Sequence, residues 1–347
     1  MRMDVQRDAV ASSETNQRAT VFTNKNVLVT GGTGLVGTPL VDLLIQQGAK
    51  VRIASLDDPS RAHPQAEFKR MNLTRFEHCL AVCEDMEYVF QVAGVKGSPM
   101  MTRTKPASFF VPTMLMNTNM MEAARQCGVR RYLYTSTNGV YAPAEVLRED
   151  DVWKTFPSEH DKFAGWAKRM GELQAEAYQI EYGWNCVTIV RPANIYGPFD
   201  NFDPQTAMVI PSLIRRALEG EDPLVVWGDG SAVRDFIHAR DVARGMLLAM
   251  ERQVSGPLNL GSGQGVSIRE LVEIIINCLD SKPTVVWDPS KPSGDRKRVL
   301  DVTRAQAIGF KCLMSLEEGL KETIRWYQEH RQTLNRRYNV FTEASLV

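Results

Sequence analysis

Short apolar runs alternate along this chain with longer stretches in which apolar residues recur every three or four positions. Asn26-Val27-Leu28-Val29-Thr30 has the character of a strand buried on both faces. A glycine-rich turn follows at once, then a helical pattern through Leu40, Leu43 and Leu44, then a second strand, Val51-Arg52-Ile53-Ala54. The order continues with strands at 88–93, 131–134 and 187–190 and with helices at 114–127 and 165–182. Strands that alternate with helices predict an α/β fold built on a Rossmann-type, doubly wound parallel sheet.

After Arg191-Pro192 the rhythm loosens and proline and glycine increase. Residues 21–191 are therefore expected to form the first unit and 192–335 a smaller mixed α/β lobe, with 236–255 returning to the first unit. Residues 1–20 are polar and lack apolar periodicity, so a flexible tail is expected there, and a second tail at 336–347.

The composition changes this picture little. Of the 347 residues 44% are hydrophobic and 24% charged, enough for a sizeable core. Lys+Arg and Asp+Glu each number 41, so no global field draws the chain to nucleic acid or to an anionic membrane, and neither partner is expected. Any anionic ligand needs a local site. The cysteines at 79, 83, 127, 186, 278 and 312 show no repeated spacing, and no apolar run is long enough to span a bilayer. A reduced, cytoplasmic enzyme is the expectation. Cys79 and Cys83 are four apart, but without a second pair they make a poor metal site, and no metal is expected.

Gly31-Gly32-Thr33-Gly34-Leu35-Val36-Gly37 lies between a strand and a helix. Glycine serves where the chain turns with positive φ and where a pyrophosphate must approach main-chain N–H groups, and a helix N-terminus favours negative charge. Gly31, Thr33, Gly34, Leu35, Val36 and Gly37 are the candidate pyrophosphate loop. At the end of the second strand, where a carboxylate marks NAD, stand Ser55 and then Asp57 and Asp58. These carboxylates would repel a 2′-phosphate and Arg61 lies further out, so NAD is favoured over NADP; a solvated turn is the alternative.

Three further segments complete a pattern: Thr135-Ser136-Thr137-Asn138-Gly139-Val140-Tyr141, Ala164-Gly165-Trp166-Ala167-Lys168, and Arg191-Pro192-Ala193-Asn194-Ile195-Tyr196-Gly197-Pro198. With the glycine loop they resemble the extended short-chain dehydrogenase/reductases, in particular the NAD-dependent nucleotide-sugar epimerase/dehydratase family, over roughly residues 25–330. Asp200-Asn201-Phe202-Asp203-Pro204, Val209-Ile210-Pro211 and Val226-Trp227-Gly228-Asp229-Gly230 are most similar to the GDP-fucose-synthase-like GDP-sugar enzymes.

The resemblance implies a homodimer and a set of roles. Thr137 would hydrogen-bond the sugar oxygen, and Lys168 the nicotinamide ribose. Asn72, Leu73, Ala93 and Gly94 would contact cofactor, and Asn138, Asn194, Val209, Trp227, Arg234 and Arg296 the nucleotide-sugar. Departures from the family pattern matter as much. The catalytic tyrosine slot holds Ala164, for which Tyr141 and His160 are the nearest substitutes in sequence. Family dehydratases carry Asp-Glu where Asn138-Gly139 stand, and fucose synthases carry Cys and His where Gly139 and Met208 stand. Neither glycine nor methionine exchanges protons, so elimination and 3,5-epimerisation are not expected. What remains is an NAD-dependent oxidoreductase acting at C4 of a GDP-sugar, with a C4 epimerase and a non-catalytic or engineered-inactive binder as alternatives.

Overall fold

The computed structural model describes residues 20–97, 99–291, 293–333, 337–341 and 343, so the expected tail at 1–20 lies outside the described residues except for Thr20. The strands are β1 (Asn26–Thr30), β2 (Lys50–Ser55), β3 (Glu67–Arg70), β4 (Tyr88–Gln91), β5 (Arg131–Thr135), β6 (Val187–Pro192), β7 (Asn194–Tyr196), β8 (Leu224–Trp227), β9 (Val233–Arg234), β10 (Phe236–His238) and β11 (Pro257–Leu260), followed by three short ones. The helices are α1 (Gly37–Gln46), α2 (Phe76–Cys83), α3 (Pro99–Thr104), α4 (Pro106–Gln126), α5 (Lys162–Tyr182), α6 (Val209–Leu218), α7 (Ala239–Glu251), α8 (Ile268–Asn277), α9 (Thr303–Ala307) and α10 (Leu316–His330).

Seven strands form one sheet in the order β11-β6-β5-β4-β1-β2-β3, every pair parallel. Parallel strands need crossovers, and the crossover helices cover both faces. Leu40, Val41 and Leu44 of α1 share one core with Val242, Ala243 and Met246 of α7. On the opposite face Cys79 and Val82 of α2, Met116, Met120 and Met121 of α4 and Ala175 of α5 share another. A third core, built from α6, α8 and α10, belongs to the smaller lobe.

The structure departs from the pattern-based layout in three places. The returning segment does not stop at 255 but runs on through β11, whose residues Pro257–Leu260 pair with Ile189–Pro192 of β6. Its signal is weak because proline opens the strand and Asn259 interrupts the apolar run. The C-terminal segment is not a free tail where it is described: Phe341 is buried and Lys105 Nζ donates to its carbonyl at 3.1 Å. Helix α4 begins at Pro106 and runs through Pro112. That proline removes one helical N–H, yet the buried face of Phe109, Thr113, Met116 and Met120 continues across it.

Helix α5, which carries Ala164 and Lys168, is held against the sheet by close backbone approach and by buried charge. A Cβ on Gly171 would lie 2.3 Å from the Tyr134 hydroxyl, and one on Gly165 would lie 2.4 Å from the Gly139 carbonyl. Glu172 accepts two hydrogen bonds from the Arg191 guanidinium, at 2.9 and 2.6 Å, with both side chains almost fully buried. Ser136 Oγ donates to the same carboxylate at 2.5 Å.

Candidate functional site

In a doubly wound sheet, ligands bind beyond the carboxyl ends of the strands where the strand order reverses. Here that point lies between β1 and β4, and the cleft above it, about 890 Å³, runs from the glycine loop to the smaller lobe.

Gly31 turns with φ +66°, and its N–H donates to the Ala54 carbonyl at 2.7 Å. A Cβ on Gly37 would stand 2.0 Å from the Gly31 carbonyl oxygen, so the start of α1 packs directly on the loop. A Cβ on Gly34 would meet only that carbonyl, at 3.2 Å, and Gly34 lines the cleft, so a side chain there would project into it. This is a cradle that a ligand rather than a side chain fills, and it suits a dinucleotide pyrophosphate. Thr30 Oγ1 contacts the Gln91 amide oxygen and accepts from the N–H groups of Val92 and Ala93 at 3.1 and 3.0 Å, which fixes the second wall.

At the end of β2, Thr33 Oγ1 donates to Asp57 Oδ2 at 2.7 Å and lies 2.8 Å from Ser55 Oγ. Arg61 Nε is 3.9 Å from the same carboxylate, with only 10% of its side chain exposed, so this cation stands closer than its sequence position suggests. Leu73 and Asn72 are buried in the next wall; the Asn72 carboxamide oxygen accepts from the Thr74 N–H and hydroxyl at 3.0 and 2.8 Å. Leu35, Val36, Ala93 and Gly94 also line the cleft.

Thr137, Asn138, Ala164 and Lys168 meet at the far end. Lys168 Nζ donates to the Thr135 carbonyl at 2.8 Å and sits 5.2 Å from the centre of the Tyr134 ring. Burial pushes its ammonium down to about 8, against the opposing pull of Glu172. Thr137 Oγ1 accepts from the Gly139 N–H at 3.2 Å. Asn194 and Val209 close this end from the smaller lobe, the Asn194 amide donating to the Asp235 carbonyl at 2.9 Å.

Five sequence candidates are not brought into the cleft. Tyr141 is buried away from it: its hydroxyl donates to Asn259 Oδ1 at 2.6 Å and accepts from Arg191 at 3.0 Å, and burial raises its proton affinity, so it is no substitute for the missing phenol. Trp227, Arg234 and Arg296 do not line the cleft either. Trp227 is exposed at the end of β8, and the Arg234 guanidinium is spent on the carbonyls of Val233 and Ser293 at 2.8 and 2.9 Å. His160, half exposed, lies 3.9 Å from Asp295 and also misses the cleft. Cys79 and Cys83 are buried thiols, their proton affinities raised by burial, and no metal-binding cluster occurs among the described residues.

Other residues join the site unannounced. Arg298 lines the cleft and is ion-paired with Asp161 and Asp295. Asp161 lies three residues before Ala164, on the same side of the chain, and a Cβ on Gly139 would stand 3.3 Å from its Cβ. Counting back one turn from Ala164 would have found Asp161. Arg298 shares a strand face with Arg296, so strand alternation alone could not choose between them. Arg337 and Tyr338, from the C-terminal segment, also line the cleft, and no periodicity points to them.

The profile of the NAD dependent epimerase/dehydratase family matches residues 27–261. A probable GDP-L-fucose synthase 1 of Oryza sativa subsp. japonica is 32% identical over 88% of this chain and 92% of its own. A dTDP-4-dehydro-6-deoxy-D-allose reductase of a Streptomyces species is 29% identical over 90% and 98%. Among solved structures, UDP-glucose 4-epimerase of Thermotoga maritima with UDP-glucose aligns with TM-score 0.78 and 29% identity over 88% of this chain and 99% of that one.

A valine at position 34 would fill the cradle while touching little else. Gly34→Val should abolish dinucleotide binding in calorimetry and leave the melting temperature within a few degrees. Retained affinity would remove the loop from the site.

Proposed function

We propose a function from the premise that the chain belongs to the NAD dependent epimerase/dehydratase family: it is an NAD(P)-dependent nucleotide-sugar oxidoreductase, acting at sugar C4 as a 4-reductase or 4-dehydrogenase, with GDP-sugars as the preferred substrate class. The observation that carries this is the convergence of the glycine loop, Thr137 and Lys168 on one cleft. The names of the relatives support the sugar-nucleotide class, and one of them is a reductase of a 4-dehydro sugar. A bound nicotinamide dinucleotide would supply the hydride that reduces a C4 ketone, or accept it in the reverse direction.

The protein's own part is to hold the sugar and move one proton. Thr137 would hydrogen-bond the C4 oxygen. Lys168, whose ammonium titrates near 8, would give that oxygen its proton across the space left by Ala164, since a group titrating close to working pH is an effective acid. Asn138, Gly139 and Met208 offer no group to exchange protons at C3, C5 or C6, so the chemistry stops at C4. Asn194, Val209 and Arg298 would face the sugar nucleotide, with Trp227, Arg234 and Arg296 reserved for any part of it that extends beyond the cleft. A homodimer is part of this proposal, through the exposed apolar residues Val111 and Leu115 of α4 and Leu173 and Ile180 of α5. A C4 epimerase is the second reading, favoured by the likeness to the UDP-glucose 4-epimerase.

The test is incubation with NAD(H) or NADP(H) and a panel of GDP-, UDP-, dTDP- and CDP-linked sugars and 4-keto sugars, following nicotinamide absorbance and product mass. Net cofactor turnover with a mass change of two hydrogens is expected. An isomer without cofactor turnover would replace the oxidoreductase by the epimerase, and binding without conversion would make the chain a non-catalytic or inactivated relative.

Proton donation by Lys168 also sets a pH dependence. Its ammonium is charged below about 8 and loses the proton as pH rises through that value, so the reduction rate should fall above pH 8. A rate independent of pH between 6.5 and 9.5 would take the proton-donating role away from Lys168.

A further inference from the structure

The described part of the C-terminal segment crosses the cleft and is fastened to three separate parts of the fold. The Tyr338 N–H donates to Asp57 Oδ1 at 3.0 Å, at the end of β2. The Arg337 guanidinium donates to the Phe199 carbonyl, in the loop after β7. Lys105 Nζ donates to the Phe341 carbonyl at 3.1 Å, and the Phe341 ring is buried over Gly97, where a Cβ would come within 2.7 Å of it. Gly97 thus leaves the space in which the ring docks. The cleft measures about 890 Å³ with this segment in place, within the range of small-molecule sites, so the segment walls the cleft without plugging it.

Arg337 is the unexplained group in this strap. A guanidinium carries five N–H donors, and among the described residues its hydrogen-bonding partner is the Phe199 carbonyl alone. Of the nearby carboxylates, Asp57 is engaged by Thr33 and the Tyr338 N–H, and Asp200 takes Lys96 and the Asn201 N–H on Oδ1, leaving its buried Oδ2 without a hydrogen-bond partner among the described residues. A second guanidinium, Arg61, stands beside it. Burial, and then the like charge of Arg61, push the Arg337 proton affinity down to about 10. The Arg337 guanidinium, with donors to spare at the edge of the cleft, suits a phosphate, which accepts bidentate hydrogen bonds.

Resting on the cleft being a dinucleotide site, we propose that residues 337–341 are a strap that completes it, and that Arg337 binds a phosphate of the dinucleotide. Two phosphates have the required chemistry: the bridging diphosphate common to NAD and NADP, and the 2′-phosphate of NADP alone. The second would shift cofactor choice toward NADP, because an arginine near the adenosine ribose accommodates that group.

Calorimetric titration of the full chain and of Arg337→Ala with NAD and with NADP separates the cases. A charge-assisted hydrogen bond is worth roughly 1.5–3 kcal/mol, so the variant should lose about 10- to 100-fold in affinity. Loss for both dinucleotides assigns Arg337 to the bridging diphosphate, and loss for NADP alone assigns it to the 2′-phosphate. Unchanged or tighter binding of both would overturn the strap's role while leaving the dinucleotide site standing. If the full chain binds neither dinucleotide, the underlying function falls as well. Phe341→Ala, which alters no charge, should weaken the same dinucleotide by undocking the strap. Proteolysis between 337 and 341 should slow when that dinucleotide is bound to the unmodified chain, and equal cleavage with and without it would contradict the proposal.

Discussion

The buried ion pair between Glu172 and Arg191 is the constraint on which the site depends. It joins the middle of α5 to β6, and through Ser136 it reaches the end of β5. From Arg191 the network continues to the Tyr141 hydroxyl and the Glu149 carbonyl, and Asn259 of β11 closes it by donating its N–H to Glu149 Oε1 at 3.0 Å. Losing one partner of such a pair typically costs about 3–5 kcal/mol, because the other charge is left buried and alone. That rigidity has a use: Ala164 and Lys168 lie on α5, Thr137 just beyond β5, and the pair keeps the two elements from sliding past each other.

Tyr141 belongs to that network, which explains why it makes a poor substitute for the missing phenol. Its hydroxyl already donates to Asn259 and accepts from Arg191, and moving it toward the cleft would break both bonds. The titratable groups left at the reaction end are Lys168, Asp161 and Arg298, and the last two are paired with each other. Lys168 has its proton affinity brought down to about 8 by burial, which Glu172 only partly offsets.

Local pattern was enough for much of this. The glycine loop could be read because its residues are adjacent and each serves a backbone requirement, whereas Thr137 and Lys168 were legible only through resemblance to the family's Thr … Tyr-x-x-x-Lys pattern. Strands β3 and β11 were not readable: Glu67–Arg70 carries one apolar residue, and Pro257–Leu260 opens on proline, so only pairing with neighbours makes them strands. The cations of the smaller lobe failed for a different reason. Arg234, Arg296 and Arg298 are close in sequence and alike in chemistry, and the choice among them rests on which side chain the short strands turn toward the cleft. Arg337 is 276 positions from Arg61, and no local signal can join two residues that only the folded chain brings together.

The central claim is that the site is complete except for the phenol, with Lys168 left to supply the proton. Installing that phenol tests it most directly. In Ala164→Tyr the single-turnover rate of reduction of a 4-keto nucleotide sugar should rise by about 10²- to 10⁴-fold, the usual worth of a positioned general acid, with unchanged affinity for sugar and dinucleotide. A flat or lower rate with both ligands still bound would contradict the account, because it would mean that Ala164 belongs to the native mechanism and that the site does not lack a phenol.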